Sequence, residues 1–241
     1  MRRLTWRPAE LVHSSAETAT ARTLRFRVPG WPGHLAGQHV DVRLTAEDGY
    51  TAQRSYSVAG PADGDLIELT VETVPDGEVS PYLTEDMRVG DQVEIRGPVG
   101  GWFVWRPADQ SPVLLVGGGS GIVPLMAMIR ARRQAGSRAP FRLLYSLRDP
   151  ARRYYAGELR RPDPGLDVTY LYTRSAPEGA ARPARRIGLD DLAEGGWPAS
   201  FEPECYVCGP TGFVEAAADL LLALGHAPER IRTERFGPTG G

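Results

Sequence analysis

The stretch from Val113 to Arg130 constrains the fold most, because it joins a short apolar segment to a glycine-rich turn. Four apolar residues, Val113 to Val116, are too few for a helix and are typical of a buried parallel strand. Four glycines follow within five positions, and the spacing from Pro124 to Arg130 suits an amphipathic helix. A strand, glycine turn and helix form a βα unit whose backbone N–H groups can approach a phosphate closely. The alternative interpretation is an ordinary tight turn of an α/β domain.

Length and composition bound the remaining possibilities. The chain has 241 residues, enough for two domains, and 41% of them are hydrophobic, enough for packed cores. A formal net charge of −2 argues against a general nucleic-acid binder. No apolar run reaches the roughly 18 residues of a transmembrane helix, and the N-terminus lacks the apolar segment of a signal peptide. We therefore expect a cytoplasmic protein that binds no nucleic acid and does not insert into a membrane.

The two cysteines have the spacing of a thioredoxin-like motif, Cys205-Tyr-Val-Cys208, but their context differs. The segment has the pattern of a strand, and residues three apart in a strand point to opposite faces. The two thiols should therefore not pair. Two cysteines are also too few for a disulfide scaffold or for an iron–sulfur cluster, so the sequence predicts no metal site.

The first half of the chain is predicted to be an antiparallel β-barrel. Short stretches of alternating apolar residues are separated by glycine and proline, as in a small all-β domain. A single short helix is expected within it, from Ser80 to Asp86. The predicted strands lie within 11–28, 38–44, 54–58, 66–74 and 91–96.

The pattern changes after the polar, proline-bounded segment Arg106–Pro112, which is the candidate linker. Strands and helices then alternate, which predicts an α/β doubly wound parallel sheet. We expect two domains, a barrel over residues 1–108 and an α/β domain over residues 109–241. The predicted strands of the second domain are 113–116, 141–146, 167–172, 204–208 and 231–234, with helices to about 135 and over 211–224.

Two short motifs in the barrel half carry groups that suit a nucleotide. Arg54-Ser-Tyr-Ser57 offers a cation for a phosphate, a ring for stacking and a hydroxyl for a ring nitrogen; by itself it could be an ordinary exposed strand. In Asp76-Gly-Glu-Val-Ser80, Gly77 turns the chain, so that the following N–H groups open a short helix and form an anion site. The alternative for this second motif is a capped helix start.

A third motif, Cys208-Gly-Pro-Thr-Gly-Phe213, follows a predicted parallel strand of the second half. Open α/β sheets bind ligands at the carboxyl ends of their strands, so this motif and the glycine turn after Val116 should face one ligand. Taken in chain order, all four motifs resemble the ferredoxin–NADP reductase superfamily, and they cover almost the whole chain.

This resemblance implies a flavin-binding barrel followed by a nicotinamide-nucleotide domain. It implies an enzyme that moves a hydride from NAD(P)H to FAD, with FMN the less expected flavin, and then releases single electrons. Some members carry a fused plant-type iron–sulfur domain, whereas this chain ends at Gly241 without one. We therefore expect a separate acceptor, such as ferredoxin, flavodoxin or an oxygenase component.

The resemblance also assigns roles to residues of the barrel half. Arg54 should hold the flavin phosphates, Tyr56 should pack on the isoalloxazine ring, and Ser57 should hydrogen-bond near flavin N5. The residues expected to cap the pyrophosphate are Gly77, Glu78, Val79 and Ser80.

In the second half, the resemblance places Cys208 beside the nicotinamide C4, with Gly209 and Pro210 shaping the pocket. Ser120 stands where most members have threonine. Glu234 could tune proton delivery, although a solvated carboxylate at a strand end is the alternative. The other residues expected to bind cofactor are Gly118, Gly119, Gly121, Pro124 and Phe236.

Selectivity for the nucleotide should be set after the second strand of the α/β domain, where the adenosine ribose lies. A 2′-phosphate favours a cation and a hydroxyl, and Ser146, Arg148 and Arg174 offer both. Asp149 is the opposing feature, because a carboxylate can accept a hydrogen bond from a free 2′-OH. The sequence therefore favours NADPH over NADH.

Two other functions remain open at this point. One is a ferric or free-flavin reductase, which is also an NAD(P)H-dependent enzyme but uses a small acceptor. The other is a non-enzymatic regulatory subunit that responds to nucleotides. The presence of both Ser57 and Cys208 argues against the second alternative.

Overall fold

The computed structural model describes residues 4–237 and divides them into two compact units. The first unit comprises the chain up to Arg106 together with Met126–Ala131, and the second comprises Pro107–Leu125 together with the chain from Arg132 onward. Among the described residues, no helix is long and apolar enough to cross a membrane.

The first unit is built on an antiparallel sheet, the architecture that the sequence predicts, with six strands where five were predicted. Its strand order is β4-β3-β6-β1-β2-β5, so that β4 and β5 lie at the two edges. A helical turn follows β5 and includes the π-helical residues Tyr82–Asp86, close to the predicted short helix. The strands are β1 (Trp6–Thr18), β2 (Ala21–Arg27), β3 (His39–Thr45), β4 (Thr51–Ser57), β5 (Leu66–Glu72) and β6 (Gln92–Val99).

Alternating apolar residues give this sheet its buried face. In β2, Leu24 and Phe26 are buried, whereas Arg25 and Arg27 between and beyond them are not. The predicted strand over 11–28 is in fact two strands, since a turn at residues 19–20 separates β1 from β2. Irregular register within β1 blurs its alternation, which explains why the sequence pattern did not reveal the turn.

The second unit contains a five-stranded parallel sheet in the order β11-β10-β7-β8-β9, which confirms the predicted α/β architecture. Its strands are β7 (Val113–Gly118), β8 (Phe141–Leu147), β9 (Leu166–Tyr172), β10 (Glu204–Pro210) and β11 (Ile231–Phe236). Its helices are α1 (Ile122–Gln134), α2 (Ala156–Leu159), α3 (Leu189–Gly195) and α4 (Thr211–Ala223), of which α2 and α3 were not predicted.

The strand order places a topological switch point beside β7. Chain connections run from β7 to β8 on one side, while the later strand β10 pairs with β7 on the other. Ligands of open α/β sheets bind at such a point, outside the carboxyl ends of the strands. The glycine turn after β7 and the Cys208–Pro210 end of β10 therefore lie where a ligand is expected.

Candidate functional site

Strand β4 carries the first motif, pairs along its length with β3 and lies at an edge of the sheet of described strands. An edge strand presents unpaired N–H and C=O groups on its free side. Tyr56 lies opposite Val40 and packs against the core of the barrel, and burial raises the pKa of Tyr56 to about 12. Its phenol is therefore neutral at physiological pH. Ser57 ends the strand opposite His39 and is half-buried.

Arg54 joins the first motif to the second. Its Nη2 donates a hydrogen bond to Oε2 of Glu78 at 2.8 Å, and the Tyr50 hydroxyl donates to Oε1 of the same carboxylate. These bonds, first from Tyr50 and then from Arg54, hold the pKa of Glu78 below its usual value. The two charged side chains remain well exposed, at 54% and 45%. Nothing in the sequence pattern pointed to Tyr50, which sits on the hairpin before β4.

The turn from Gly77 to Ser80 is fixed by its own hydrogen bonds. The Gly77 N–H donates to the Val74 carbonyl at 3.0 Å, and the Ser80 Oγ accepts from the Val74 N–H at 3.0 Å. Val79 is fully buried in the barrel core. The side chains of Val79 and Ser80 thus hold the turn, and Glu78 is the residue whose side chain reaches the exposed Arg54.

These features fit the phosphates and ring of a flavin. A guanidinium held by one exposed carboxylate can exchange that partner for a phosphate, which is a strong ligand of arginine. A neutral aromatic ring and the free edge of β4 supply an apolar surface and main-chain hydrogen bonds nearby. The predicted roles of Arg54, Tyr56, Ser57 and the turn residues remain predictions.

In the second unit, close packing accounts for three glycines around the predicted nucleotide site. A Cβ added at Gly118 would lie 2.5 Å from Cδ1 of Phe213, and one added at Gly209 would lie 2.8 Å from the same atom. A Cβ at Gly121 would lie 2.1 Å from the carbonyl oxygen of Cys208. These contacts pack the turn and the start of α4 against the end of β10. Phosphate approach alone therefore does not account for the glycine turn, since Gly118 and Gly121 serve packing.

Within the glycine turn, Gly119 is the position that leaves space open. It adopts a φ of +56°, which favours glycine, and no heavy atom lies within 4 Å of an added Cβ. The residues Gly119–Gly121 form a 3-10 turn that leads into the 13-residue helix α1, with Pro124 in its first turn. A helix start of this kind directs N–H groups and positive charge to a bound phosphate. Gly119 and Ser120 are thus the predicted residues best placed for that contact.

Cys208 is fully buried and lies in register between Gly117 of β7 and Glu234 of β11. Burial first, and the Glu234 carboxylate second, raise the pKa of the Cys208 thiol well above its ordinary value. The thiol is therefore neutral and is not a nucleophile. The structure brings the predicted residues Cys208 and Glu234 together, and it pairs Pro210 with Phe236 two positions further along the same strands.

The two cysteines are both free and buried. Cys205 lies near the imidazole of His226, with its Sγ 3.9 Å from Nδ1, and burial raises the pKa of Cys205 to about 12. The interpretation that the two thiols of this strand do not pair is confirmed.

The predicted selectivity residues divide into two groups. Arg148 and Arg174 are exposed and adjacent in main chain, because the Arg174 N–H donates to the Arg148 carbonyl at 3.0 Å. Ser146 is buried in β8, between Gly118 and Leu171 of the neighbouring strands, so its hydroxyl does not lie with the two arginines at the surface.

Asp149 and Asp191 have structural partners in this region. Asp149 accepts a hydrogen bond from the Ala151 N–H at 3.0 Å, which caps the following turn. The buried Asp191 accepts hydrogen bonds from Arg182 and Arg185, and so anchors the loop after β9. Burial alone would raise the pKa of Asp191, but the hydrogen bond from Arg182 brings it below the usual value. Sequence reasoning missed Asp191 because its partners lie in an irregular loop.

Comparison with known proteins gives matches to both halves of the chain. Residues 8–104 match the oxidoreductase FAD-binding domain, and residues 115–219 match the oxidoreductase NAD-binding domain. The naphthalene 1,2-dioxygenase system ferredoxin–NAD(P)(+) reductase component of Pseudomonas putida is 30% identical over 241 residues, which cover 95% of this chain and 69% of that protein. The reductase component of the naphthalene 1,2-dioxygenase/salicylate 5-hydroxylase systems of Ralstonia sp is 32% identical, covering 92% of this chain and 66% of that protein.

The fold is also shared with solved structures. The flavohem-like FAD/NAD-binding domain of nitric oxide dioxygenase from Vibrio cholerae O1 biovar El Tor superposes with a TM-score of 0.85. It is 24% identical, and the alignment covers 96% of this chain and 99% of that domain. The fold and the two domain matches together define an oxidoreductase with an FAD-binding and an NAD-binding domain. The chain belongs to the ferredoxin–NADP reductase superfamily.

Proposed function

We propose that this protein is the reductase of an electron-transfer chain, taking hydride from NAD(P)H and delivering single electrons to a separate protein. The observation that carries the proposal is the pair of FAD- and NAD-binding matches in one chain, together with its likeness to reductase components of dioxygenase systems. The chain spans about two thirds of the length of those relatives. We propose an oxygenase component or its ferredoxin as the acceptor, with flavodoxin as a further candidate, and a cytoplasmic location.

Bound FAD supplies the conversion from a two-electron donor to single-electron transfer. The role of the protein is to bind the two cofactors, to orient them and to shield them from water. Arg54 would release Glu78 and hold a phosphate, while the main-chain N–H groups of Glu78, Val79 and Ser80 would contact the pyrophosphate. Tyr56, whose phenol is neutral, would present its ring to the isoalloxazine, and the Ser57 hydroxyl would donate a hydrogen bond near N5.

On the nucleotide side, Gly119 and Ser120 would receive the phosphates at the start of α1. The neutral thiol of Cys208 would contact the nicotinamide by van der Waals packing, and its raised pKa excludes a role as general base at physiological pH. Glu234 lies beside it in β11 and is the carboxylate that could accept or supply a proton there.

An acceptor panel tests the proposed electron transfer. The purified protein with FAD and NAD(P)H would be assayed with ferredoxin, flavodoxin, cytochrome c, ferric chelates and free flavin. We expect the highest kcat/KM with an iron–sulfur protein or flavodoxin. A preference for ferric chelate or free flavin by tenfold or more, an order-of-magnitude criterion, would contradict the proposal and identify a small-molecule reductase. A flavin that NAD(P)H does not reduce would favour the regulatory alternative.

We also propose that NADPH is preferred over NADH. Arg148 and Arg174 are exposed, and their main chains are adjacent at the carboxyl ends of β8 and β9. An adenosine ribose is expected at this edge of the sheet. Asp149, the carboxylate that would favour a free 2′-OH, is engaged in capping the next turn. The buried Ser146 contributes less than the sequence suggests.

The test is kcat/KM for both nucleotides in the wild type and in Arg148→Ala. We expect the wild type to prefer NADPH and the variant to lose most of that preference. The matched control is Arg161→Ala, which removes an exposed arginine that precedes β9 and so lies at the opposite edge of the sheet. A wild-type preference for NADH would overturn this assignment and leave the proposed electron transfer intact.

A further inference from the structure

We propose that Phe213 positions the nicotinamide half of the bound dinucleotide, an inference that rests on the proposed function. Phe213 is the third residue of α4, the helix that follows the Cys208-Gly-Pro210 end of β10. Its ring lies against Gly118, the last residue of β7, and against Gly209, the residue before the end of β10. The role assigned here is that of a positioning residue.

The first argument is the closeness of the contact. The Phe213 ring occupies the space that a side chain at Gly118 would need, with Cδ1, Cγ and Cε1 at 2.5, 2.8 and 2.9 Å from an added Cβ. A Cβ added at Gly209 would lie 2.8 Å from the same Cδ1 and 3.2 Å from the Cα of Gly118. The two strand ends and the ring therefore form one closely packed group, which only glycine permits at both positions.

The second argument is location. Gly118 ends β7 and Gly209 precedes the last residue of β10, and these two strands flank the topological switch point. Gly209 also follows Cys208, the residue expected beside the nicotinamide. A ring at this place lies at the crevice where a ligand of such a sheet binds.

The third argument is chemistry. Phe213 is half-buried, and part of its surface packs against the core cluster of the second unit, which includes Val214 and Leu221. Because the core holds one side and glycine backbone holds the edge, the ring has a fixed position. Nicotinamide is a flat ring with apolar faces, and an apolar wall of fixed position limits where it can lie. Hydride transfer depends steeply on such alignment.

The experiment uses the full chain with FAD and compares Phe213→Ala and Phe213→Leu with the wild type. Anaerobic stopped-flow measurements would give the limiting rate of flavin reduction at saturating NADPH and NADH. Competition by 2′,5′-ADP and 5′-AMP would report binding of the adenosine half alone. The matched control is Leu222→Ala, which removes an apolar side chain from the exposed face of the same helix.

We expect Phe213→Ala to lower the limiting rate by about tenfold or more with both donors, because the loss is one of orientation. Phe213→Leu, which restores volume but not a flat ring, should lie between Phe213→Ala and the wild type. Inhibition by the adenosine nucleotides should stay within about twofold of the wild type in every variant, since that half binds elsewhere. Leu222→Ala should match the wild type in all measurements.

A limiting rate unchanged in both Phe213 variants, even with a lower melting temperature, would overturn the proposal and assign the ring a packing role. Inhibition by the adenosine nucleotides that weakens by as large a factor as the limiting rate would also overturn the proposal. The effect of the substitution would then be spread over the domain. Where Phe213→Ala does not fold, Phe213→Leu decides the question by the same criteria. A wild type that neither donor reduces would instead refute the proposed function itself.

Discussion

The turn that carries Glu78 and the turn that carries Gly121 both place glycine before a helical segment, yet their surroundings differ. Around the first, Arg54, Glu78 and Tyr50 form a charged, hydrogen-bonded group that is open to solvent. Around the second, glycine backbone packs directly on the Cys208 carbonyl and on the ring of Phe213.

This difference indicates how each region would recognise a ligand. In the first, binding depends on charge, and one exposed partner can replace another at small cost. In the second, binding depends on shape, and an added methyl group has no space. Substitutions should therefore act on ligand affinity in the first region and on folding or alignment in the second.

Gly121→Ala should have the largest effect. Its Cβ would lie 2.1 Å from the Cys208 carbonyl oxygen, which is backbone and cannot move without displacing β10. We expect a loss of about 3 kcal/mol or more in the free energy of unfolding, measured by chemical denaturation. Gly212→Ala is the matched control, because an added Cβ there meets no atom within 4 Å, and it should keep or raise stability. Equal stability of the two variants would refute the close packing of this turn.

Arg54→Ala should come next, and should act on flavin binding instead of folding. A charge-assisted hydrogen bond to a phosphate contributes about 1.5–3 kcal/mol, so the Kd for FAD should rise roughly ten- to a hundredfold. Arg25→Ala, which removes a similarly exposed arginine paired with Asp63, is the control and should leave the Kd unchanged. Equal FAD affinity of the Arg54 variant and the wild type would contradict the assignment of the phosphate site.

The buried thiols of β10 predict an alkaline loss of stability in the second unit. The pKa of Cys205 is raised to about 12 and that of Cys208 is raised as well, so both stay protonated in the folded chain. In the unfolded chain they ionise above about pH 8.5, so unfolding releases protons and rising pH favours it. Each thiol should lower the free energy of unfolding by up to about 1.4 kcal/mol per pH unit beyond that point.

Denaturation between pH 8 and about pH 9, below the ordinary tyrosine pKa of about 10, would measure this slope. The comparison is with Cys205→Ala, in which one of the two contributions is removed and the slope should decrease. A wild-type slope no steeper than that of the variant would show that Cys205 ionises alike in the folded and unfolded chains.

Glu78→Gln should have the smallest effect and the opposite sign to Arg54→Ala. The carboxylate competes with a phosphate for Arg54, so its neutralisation should strengthen FAD binding by a small factor, as expected for an exposed pair. Tyr50→Phe, which removes one hydrogen bond but no charge, serves as the comparison. Titration of the apoprotein with FAD measures both variants, and weaker binding by Glu78→Gln would mean that the carboxylate supports the flavin.

The sequence predicted the order and type of most strands, because alternating or continuous apolar runs directly reflect which faces are buried. It also placed Cys208 and the glycine turn at one sheet edge, because parallel strands end on the same side. The short helix α2 and the acidic helix α3 were missed, since neither carries a long apolar period.

What the sequence did not reveal depends on contacts between distant segments. The hydrogen bond from Tyr50 to Glu78 spans 28 positions and depends on a hairpin whose direction no local pattern specifies. The ring of Phe213 lies 95 positions from Gly118, so the reason for that glycine was taken to be a ligand when packing accounts for it. Ser146 was predicted to face a phosphate, but the sheet buries it.

Anaerobic stopped-flow reduction of the flavin by NADPH and by NADH tests the central claim most directly. The account predicts a yellow protein with one flavin per chain whose absorbance is bleached by at least one of these donors. In Ser57→Ala and Cys208→Ala, the rate of bleaching should fall by a larger factor than the affinity for flavin. A protein that binds neither FAD nor FMN, or a bound flavin that neither nucleotide bleaches, would contradict the account.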